Sequence, residues 1–105
     1  MLDAEAFDRE GFLRRLEDWT PEVARQIAAA EQIDLTEAHW EILHLLRRYH
    51  AEFDSSPAMR ALVKYCALQL GPQKGRSIYL LALFPDSPAK IASKLAGLPK
   101  PENCL

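Results

Sequence analysis

A hydroxyl residue followed directly by proline occurs three times in the chain, and this pattern constrains the fold more than any other feature. The three pairs are Thr20-Pro21, Ser56-Pro57 and Ser87-Pro88. Serine and threonine are favoured N-caps and proline is favoured at the first helical position, so each pair predicts the start of a helix. Gly71 and Gly97 follow the second and third of these segments, where glycine is typical of a helix end.

Two further helices are predicted from the spacing of apolar residues. Thr36 is a candidate cap for a segment whose apolar residues recur at three- and four-residue intervals from Ile42 to Phe53. Residues 78–84 are almost wholly apolar, which predicts a short helix at the centre of the core. Because the connections are short, we expect about five helices in a compact orthogonal array.

The two ends of the chain differ from this helical pattern. Residues 1–18 contain a turn-like Asp-Arg-Glu-Gly sequence between apolar residues, which is compatible with a hairpin or a helical turn. After Gly97, Pro99 and Pro101 disfavour a helix and hold the tail extended. We therefore expect one helical domain over residues 1–98 and a mobile C-terminal arm over residues 99–105.

Composition excludes several classes of protein. Apolar residues make up 49% of the chain, enough for a packed core. No apolar run approaches the roughly 20 residues that span a bilayer, so no membrane partner is expected. The acidic N-terminus lacks the order of a signal peptide. Two cysteines form no disulfide framework, and the cytoplasm is the expected compartment.

The sequence contains no metal-binding motif and no self-contained active site. His39, His44 and His50 are five and six residues apart, which is not the four-residue spacing that places two ligands on one helix face. Two distant cysteines cannot form a zinc ribbon. The chain also lacks a glycine-rich phosphate loop and a Gly-x-Ser-x-Gly elbow. We expect no metal and no cofactor.

The two cysteines have different settings in the sequence. Cys66 lies on an apolar helical stripe, four residues after Leu62 and four before Leu70, which predicts a buried structural residue. Cys104 is the next-to-last residue, beyond the prolines, where packing is unfavourable. A thiol reacts as its thiolate and needs access, so this position fits a nucleophile. An incidental terminal cysteine is the alternative.

Charge is divided unevenly along the chain. Residues 1–54 carry 6 basic and 13 acidic side chains, whereas residues 55–105 carry 7 basic and 2 acidic ones. Either the second half contacts an anionic partner, or the two halves attract each other. Residues 60–84 also outline a helix-turn-helix, with Arg76 and Ser77 near the start of its second helix. The apolar run that follows favours a core helix over one that lies in a nucleic-acid groove.

A series of short motifs extends from about Gly11 to the last residue. They are His39-Trp40; Ser56-Pro57-Ala58 with Arg60 and Lys64; Lys74-Gly75, Ser77, Tyr79-Leu80 and Leu83-Phe84-Pro85; Pro88-Ala89-Lys90; and Ala96 to Pro101 with Cys104. Together, and in this order, they resemble the DsrC/TusE family of small sulfur-carrier proteins. The resemblance implies an α+β, mostly α fold, with a short N-terminal β-hairpin, truncated here, packed on the helices.

The resemblance also implies a function. The penultimate cysteine, Cys104, receives sulfur as a persulfide and passes it on. Members of the DsrC branch carry a second cysteine eleven positions earlier, where this chain has Ser93. The chain therefore resembles the TusE branch, which takes sulfur from the TusBCD complex and delivers it to the thiolase MnmA for 2-thiolation of the tRNA wobble uridine.

Two alternatives to this function remain open. A DsrC-like carrier would instead work with dissimilatory sulfur-metabolism proteins, in sulfur oxidation or sulfite metabolism. A regulator that binds nucleic acid through the helix-turn-helix-like segment would belong to another class.

Further site residues are expected around the arm and on the basic half. Lys100 is expected to steer the arm and favour the thiolate, with Pro99, Pro101 and Leu105 as supporting residues. Six basic residues are expected to contact an acidic partner or tRNA: Arg60, Lys64, Lys74, Arg76, Lys90 and Lys94. For each of the six, an ordinary solvated charge is the alternative.

Overall fold

The computed structural model describes residues 1–102. Cys104 and Leu105, the predicted thiol and its neighbour, lie outside the described residues. Within residues 1–102 there are five α-helices: α1 (Pro21–Ala30), α2 (Glu37–Phe53), α3 (Met59–Leu70), α4 (Ser77–Leu83) and α5 (Pro88–Leu95). The expected number of helices is therefore confirmed. Within residues 1–102, no helix combines the length and the apolar character needed to cross a membrane.

The expected N-terminal β-hairpin is wrong. Within the described chain, Phe7 and Leu13 form one isolated antiparallel bridge, and the Asp8 N–H donates to the Phe12 carbonyl at 2.7 Å. Short 3-10 turns at Ala4–Ala6 and Leu16–Asp18 lie on either side of this bridge. Because the backbone curls into these turns, the pairing cannot extend into two strands.

Two of the three predicted hydroxyl-proline starts are confirmed, and one is wrong. Thr20 and Ser87 are the N-caps of α1 and α5, and the Thr20 hydroxyl accepts a hydrogen bond from the Val23 N–H at 3.2 Å. Helix α3, in contrast, begins at Met59 with Ala58 as its N-cap. Ser56 lies before the helix, and its hydroxyl donates to the C-terminal segment, as described below.

The start of α2 is held by a buried histidine. His39 Nδ1 accepts a hydrogen bond from the Thr36 N–H at 3.1 Å. Since Nδ1 is the acceptor, Nε2 carries the proton and donates to the Leu83 carbonyl at 2.8 Å. The ring also packs edge-on against Phe84, with centroids 5.1 Å apart. His39 thereby joins the start of α2 to the end of α4.

The central helix is α5, whereas the run at residues 78–84, which we expected at the centre, is only partly buried. Helix α5 contacts each of the other four helices, and most of its residues are buried. Its small residues Ala89 and Ala92 let neighbouring helices approach closely. In α4 only Leu80 is buried, while Ile78 and Leu81 are 67% and 42% exposed. Phe84, just after α4, is also fully buried, so the apolar run contributes Leu80 and Phe84 to the core and leaves Ile78 and Leu81 at the surface.

Candidate functional site

The C-terminal arm leaves the body where α5 ends in a Schellman turn. The Leu98 N–H donates to the Ser93 carbonyl at 3.0 Å, and the Gly97 N–H donates to the Lys94 carbonyl at 3.1 Å. Gly97 has φ of +73°, the left-handed conformation that this turn requires and that glycine adopts without a steric penalty. The turn stops the helix and directs the following residues along the protein surface.

Trp19 and Arg47 hold this turn in place. Trp19 Nε1 donates to the Leu95 carbonyl at 2.9 Å, and the indole lies so close to Gly97 that a Cβ there would be 2.4 Å from the ring. Arg47 donates to the Ala96 carbonyl at 3.0 Å, and its guanidinium stacks 4.6 Å from the Trp19 ring centre. The last carbonyls of α5 are thus satisfied, and the exit direction of the chain is fixed.

The first residues of the arm also contact the body. The Ser56 hydroxyl donates to the Pro99 carbonyl at 2.6 Å. The Lys100 ammonium contacts both carboxylate oxygens of Glu10 at 3.2 and 3.3 Å. Pro101 is buried. We call residues 98–101 the arm root, since they connect α5 to the segment that carries the predicted thiol.

Glu10 is the electrostatic partner of the arm root. The hydrogen bond from Lys100 lowers the pKa of the Glu10 carboxyl, and the charges of Lys100 and Lys90 lower it further. Lys90 Nζ lies 3.5 Å from the same carboxylate. Lys100, which was expected to favour the Cys104 thiolate, is therefore engaged with Glu10 in this structure.

A cavity of about 440 Å³ opens beside the arm root. It is lined by Tyr49, His50, Asp54, Ser55, Ser56, Pro57, Ala58, Pro99, Lys100 and Glu102. Its walls combine three hydroxyl groups with an imidazole, an ammonium and two carboxylates. Glu102, which lines this cavity, is only two residues before Cys104 in the sequence. The polar cavity is therefore close along the chain to the predicted thiol.

Cys66 and Ser93 are both enclosed in the core. Cys66 is fully buried, which confirms the sequence prediction, and burial together with the nearby Glu41 charge raises the pKa of its thiol to about 11. Cys66 is therefore protonated at neutral pH. Ser93, in the position of the second DsrC cysteine, is also fully buried, and its hydroxyl has no hydrogen-bond partner within residues 1–102.

The six basic residues expected to form one surface fall into two groups. Three of them bind carboxylates, in the pairs Lys74–Glu41 at 2.7 Å, Lys90–Glu10 at 3.5 Å and Lys94–Glu31 at 3.0 Å. The Lys94 side chain is only 8% exposed, so it lies in the interior. Arg60, Lys64 and Arg76 are exposed and form no ion pair with any residue that the structure describes.

The segment that outlines a helix-turn-helix folds as α3, a tight connection and α4. A Cβ at Gly75 would lie 2.3 Å from the Ala67 Cβ, so the connection packs directly against α3. Helix α4 has seven residues and exposes Ile78 and Leu81. Recognition helices present polar side chains to base edges, which these two positions do not provide.

Four residues that contact the arm root or the preceding turn are not predicted from the sequence: Ser56, Glu10, Trp19 and Arg47. Each acts through a long-range contact, across 43 residues for Ser56 to Pro99 and 76 for Trp19 to Leu95. Ser56 does belong to the Ser-Pro-Ala motif, but its position before a proline predicts a helix cap. No local signal identified the other three.

The fold and the arm root define a small helical protein that extends a terminal cysteine-containing segment beyond a fixed exit turn. A family model described as DsrC like protein matches residues 3–105. The chain belongs to the DsrC-like family.

Similar proteins are known from several organisms. A "Sulfurtransferase TusE homolog" of Haemophilus influenzae is 51% identical over 93% of this chain and 90% of its own length. "Sulfurtransferase TusE" of Sodalis glossinidius is 49% identical over 93% and 91%. Among solved structures, Allochromatium vinosum DsrC is 47% identical, with a TM-score of 0.86, over 94% of this chain and 88% of its own.

A second solved relative is the oxidized gamma-subunit of the dissimilatory sulfite reductase (DsrC) from Archaeoglobus fulgidus. It is 40% identical, with a TM-score of 0.79, over 94% of this chain and 90% of its own. Overall identity to the TusE-named and DsrC-named proteins is therefore of the same order.

Proposed function

We propose that this protein is a sulfur-relay carrier, which holds sulfur as a persulfide on Cys104 and passes it towards 2-thiolation of the tRNA wobble uridine. The observation that carries the proposal is that Cys66 is enclosed in the core, which leaves Cys104 as the other thiol of the sequence. Cys66 is buried and its pKa is raised to about 11, so it is unsuited to rapid exchange. Cys104 follows the arm root, and the family match extends through it.

The carrier step needs no cofactor and no net oxidation. The Cys104 thiolate attacks the terminal sulfur of a donor persulfide, and a new sulfur–sulfur bond forms as the donor's bond breaks. The donor leaves as a thiolate, so charge and sulfur oxidation state balance across the exchange. The acceptor enzyme then takes the same terminal sulfur from Cys104.

Ser93 favours a single-thiol relay over an internal two-cysteine cycle. A serine hydroxyl cannot form a disulfide with Cys104, and Cys66 is enclosed in the core. A persulfide on Cys104 therefore has no second thiol at either position to displace its sulfur. This supports a TusE-like role, with a TusBCD-like donor and an MnmA-like thiolase acting with tRNA in the cytoplasm, over a DsrC-like role in dissimilatory sulfur metabolism.

The proposal is tested by incubating the protein with a protein persulfide donor and measuring intact mass. The wild-type protein should gain the mass of one sulfur atom, which a reducing agent removes. Cys104→Ser should lose this gain, while the matched variant Cys66→Ala should keep it. Loading of folded Cys104→Ser to the wild-type extent would refute the assignment of the carrier thiol.

A further inference from the structure

We propose that the exposed side of α3 and α4 is the surface on which a protein partner of the relay docks, one that presents apolar side chains bordered by carboxylates. The inference rests on the proposed function and adds the surface of the helical body that the partner contacts. The residues of this surface, which we call the α3–α4 stripe, are Arg60, Lys64, Leu68, Arg76, Ile78 and Leu81.

Large apolar side chains are exposed mainly on the stripe. Leu68 is 74% exposed, Ile78 67% and Leu81 42%, and these are three of the five large apolar residues exposed within residues 1–102. Ile78 and Leu81 are three residues apart in α4 and so share one helix face. Clustered apolar exposure of this kind marks interaction sites, whereas isolated exposed residues are ordinary.

The residues of the stripe are arranged along a line. Arg60, Lys64 and Leu68 follow one another at four-residue intervals, which places them along one side of α3. The connection to α4 packs against Ala67, where a Gly75 Cβ would be 2.3 Å away. Because Ala67 precedes Leu68 and α4 begins two residues after Gly75, the start of α4 lies beside the part of α3 that holds Leu68.

The charges on the stripe are free to bind a partner. Arg60, Lys64 and Arg76 form no ion pair within the part of the chain that the structure describes. The lysines outside the stripe are instead neutralised by Glu10, Glu31 and Glu41. Cations that border an apolar strip complement a partner with carboxylates around an apolar patch, and they speed its association.

A protein fits this surface better than an RNA does. Single-stranded RNA is bound by aromatic rings that stack on bases, and duplex RNA by contacts to phosphate and ribose. Leu68, Ile78 and Leu81 offer no stacking face and no hydrogen bond. An apolar centre with a charged border is the anatomy of a protein–protein interface.

The stripe also begins beside the arm root. Pro57 and Ala58, which lead into α3, line the same cavity as Pro99 and Lys100. Arg60 is two residues further along, and Leu68 lies about 12 Å beyond Arg60 at the rise of an α-helix. A partner docked along the stripe would therefore stand next to the segment that carries Cys104.

The test compares sulfur transfer by two stripe variants with transfer by a matched control. The variants are Arg60→Glu with Lys64→Glu, and Leu68→Ser with Ile78→Ser. The control is Arg15→Glu, which reverses an exposed arginine whose only described ion pair is the exposed one with Glu17. Transfer is measured from a TusBCD-like complex to Cys104 and from Cys104 to an MnmA-like thiolase. Loading by glutathione persulfide and affinity for tRNA are measured in parallel.

With at least one of the two proteins, kcat/KM should fall about tenfold or more in both stripe variants and stay unchanged in the control. The loss in the charge variant should shrink at high salt, whereas the loss in the apolar variant should persist. Loading by glutathione persulfide should not change, since the small molecule needs no docking surface.

Two outcomes would overturn this docking surface and leave the proposed function intact. One is transfer at the wild-type rate with both proteins, and the other is a loss of tRNA affinity that accounts for the slower transfer. If the wild-type protein fails to load from any donor, the proposed function fails with it. The substituted side chains are exposed, so retained helical circular dichroism is expected and serves as the folding control.

Discussion

A substitution at Gly97 directly tests the contacts that fix the turn at the end of α5. Its φ of +73° costs an L-residue about 1–2 kcal/mol. An added Cβ would lie 2.4 Å from Trp19 Cδ1, and relieving an overlap of this kind in a packed site costs a further 1–3 kcal/mol or so. Gly97→Ala should therefore lower the free energy of unfolding by about 2–5 kcal/mol.

Gly71 provides a matched control for this substitution. It also has positive φ, +100°, but no atom lies within 4 Å of the position that a Cβ would occupy there. Gly71→Ala should show the backbone cost without the clash, about 1–3 kcal/mol. The two variants thus separate conformational strain from overpacking.

Urea unfolding of a double-mutant cycle with Trp19→Ala measures the clash directly. Trp19→Ala removes the contacts with Cδ1 and Cγ but keeps the residue 19 Cβ, 2.8 Å from the added methyl group. It should therefore reduce the cost of Gly97→Ala by about 1 kcal/mol, and not abolish it, while the cost of Gly71→Ala stays unchanged. The denaturant slope should stay constant, so that the midpoints report stability. Additive effects of Gly97→Ala and Trp19→Ala would refute the close approach described above.

Three further predictions concern the thiols and the arm root. Cys66→Ala should cost about 1 kcal/mol of unfolding free energy in urea; a destabilisation of several kcal/mol would contradict a simple packing role. The pKa of Glu10 is lowered, so its ion pair with Lys100 is formed above the ordinary carboxyl pKa and is lost as pH falls through the lowered value. The Lys100 side-chain NMR signals should shift in that range in the wild type and not in Glu10→Gln; unresponsive wild-type signals would count against the contact. Oxidised protein should give no Cys66–Cys104 bridge in a non-reducing peptide map, because Cys66 is fully buried; ready formation of that bridge would indicate a two-cysteine cycle.

The helices could be predicted because their signals are local. Thr20 caps α1 through the nearby Val23 N–H, Ser87 with Pro88 marks the start of α5 without a side-chain capping bond, and Gly71 and Gly97 end helices through their own backbone conformation. The same local signal failed at Ser56, where a residue 43 positions away uses the hydroxyl. A cap and a tertiary hydrogen bond need the same residue type, so the sequence pattern does not separate them.

Position in the fold was harder to predict than element type. The apolar run at residues 78–84 does form a helix, but α5 occupies the centre and contacts each of the other four helices. The charges of the two halves likewise pair through tertiary contacts such as Lys94 with Glu31. The candidate thiol was found from its position in the sequence, whereas the partners of the arm root required the structure.

The contacts of the arm root limit how deep a partner's reactive sulfur can lie. Ser56 and Glu10 attach Pro99 and Lys100 to the body, and Pro101 is buried. Cys104 is the third residue after Pro101, and three fully extended residues span at most about 11 Å. While the root is attached, the carrier can therefore serve only partners whose sulfur lies within that distance of Pro101 plus the length of the Cys104 side chain. A deeper catalytic cleft would require both root contacts to break first.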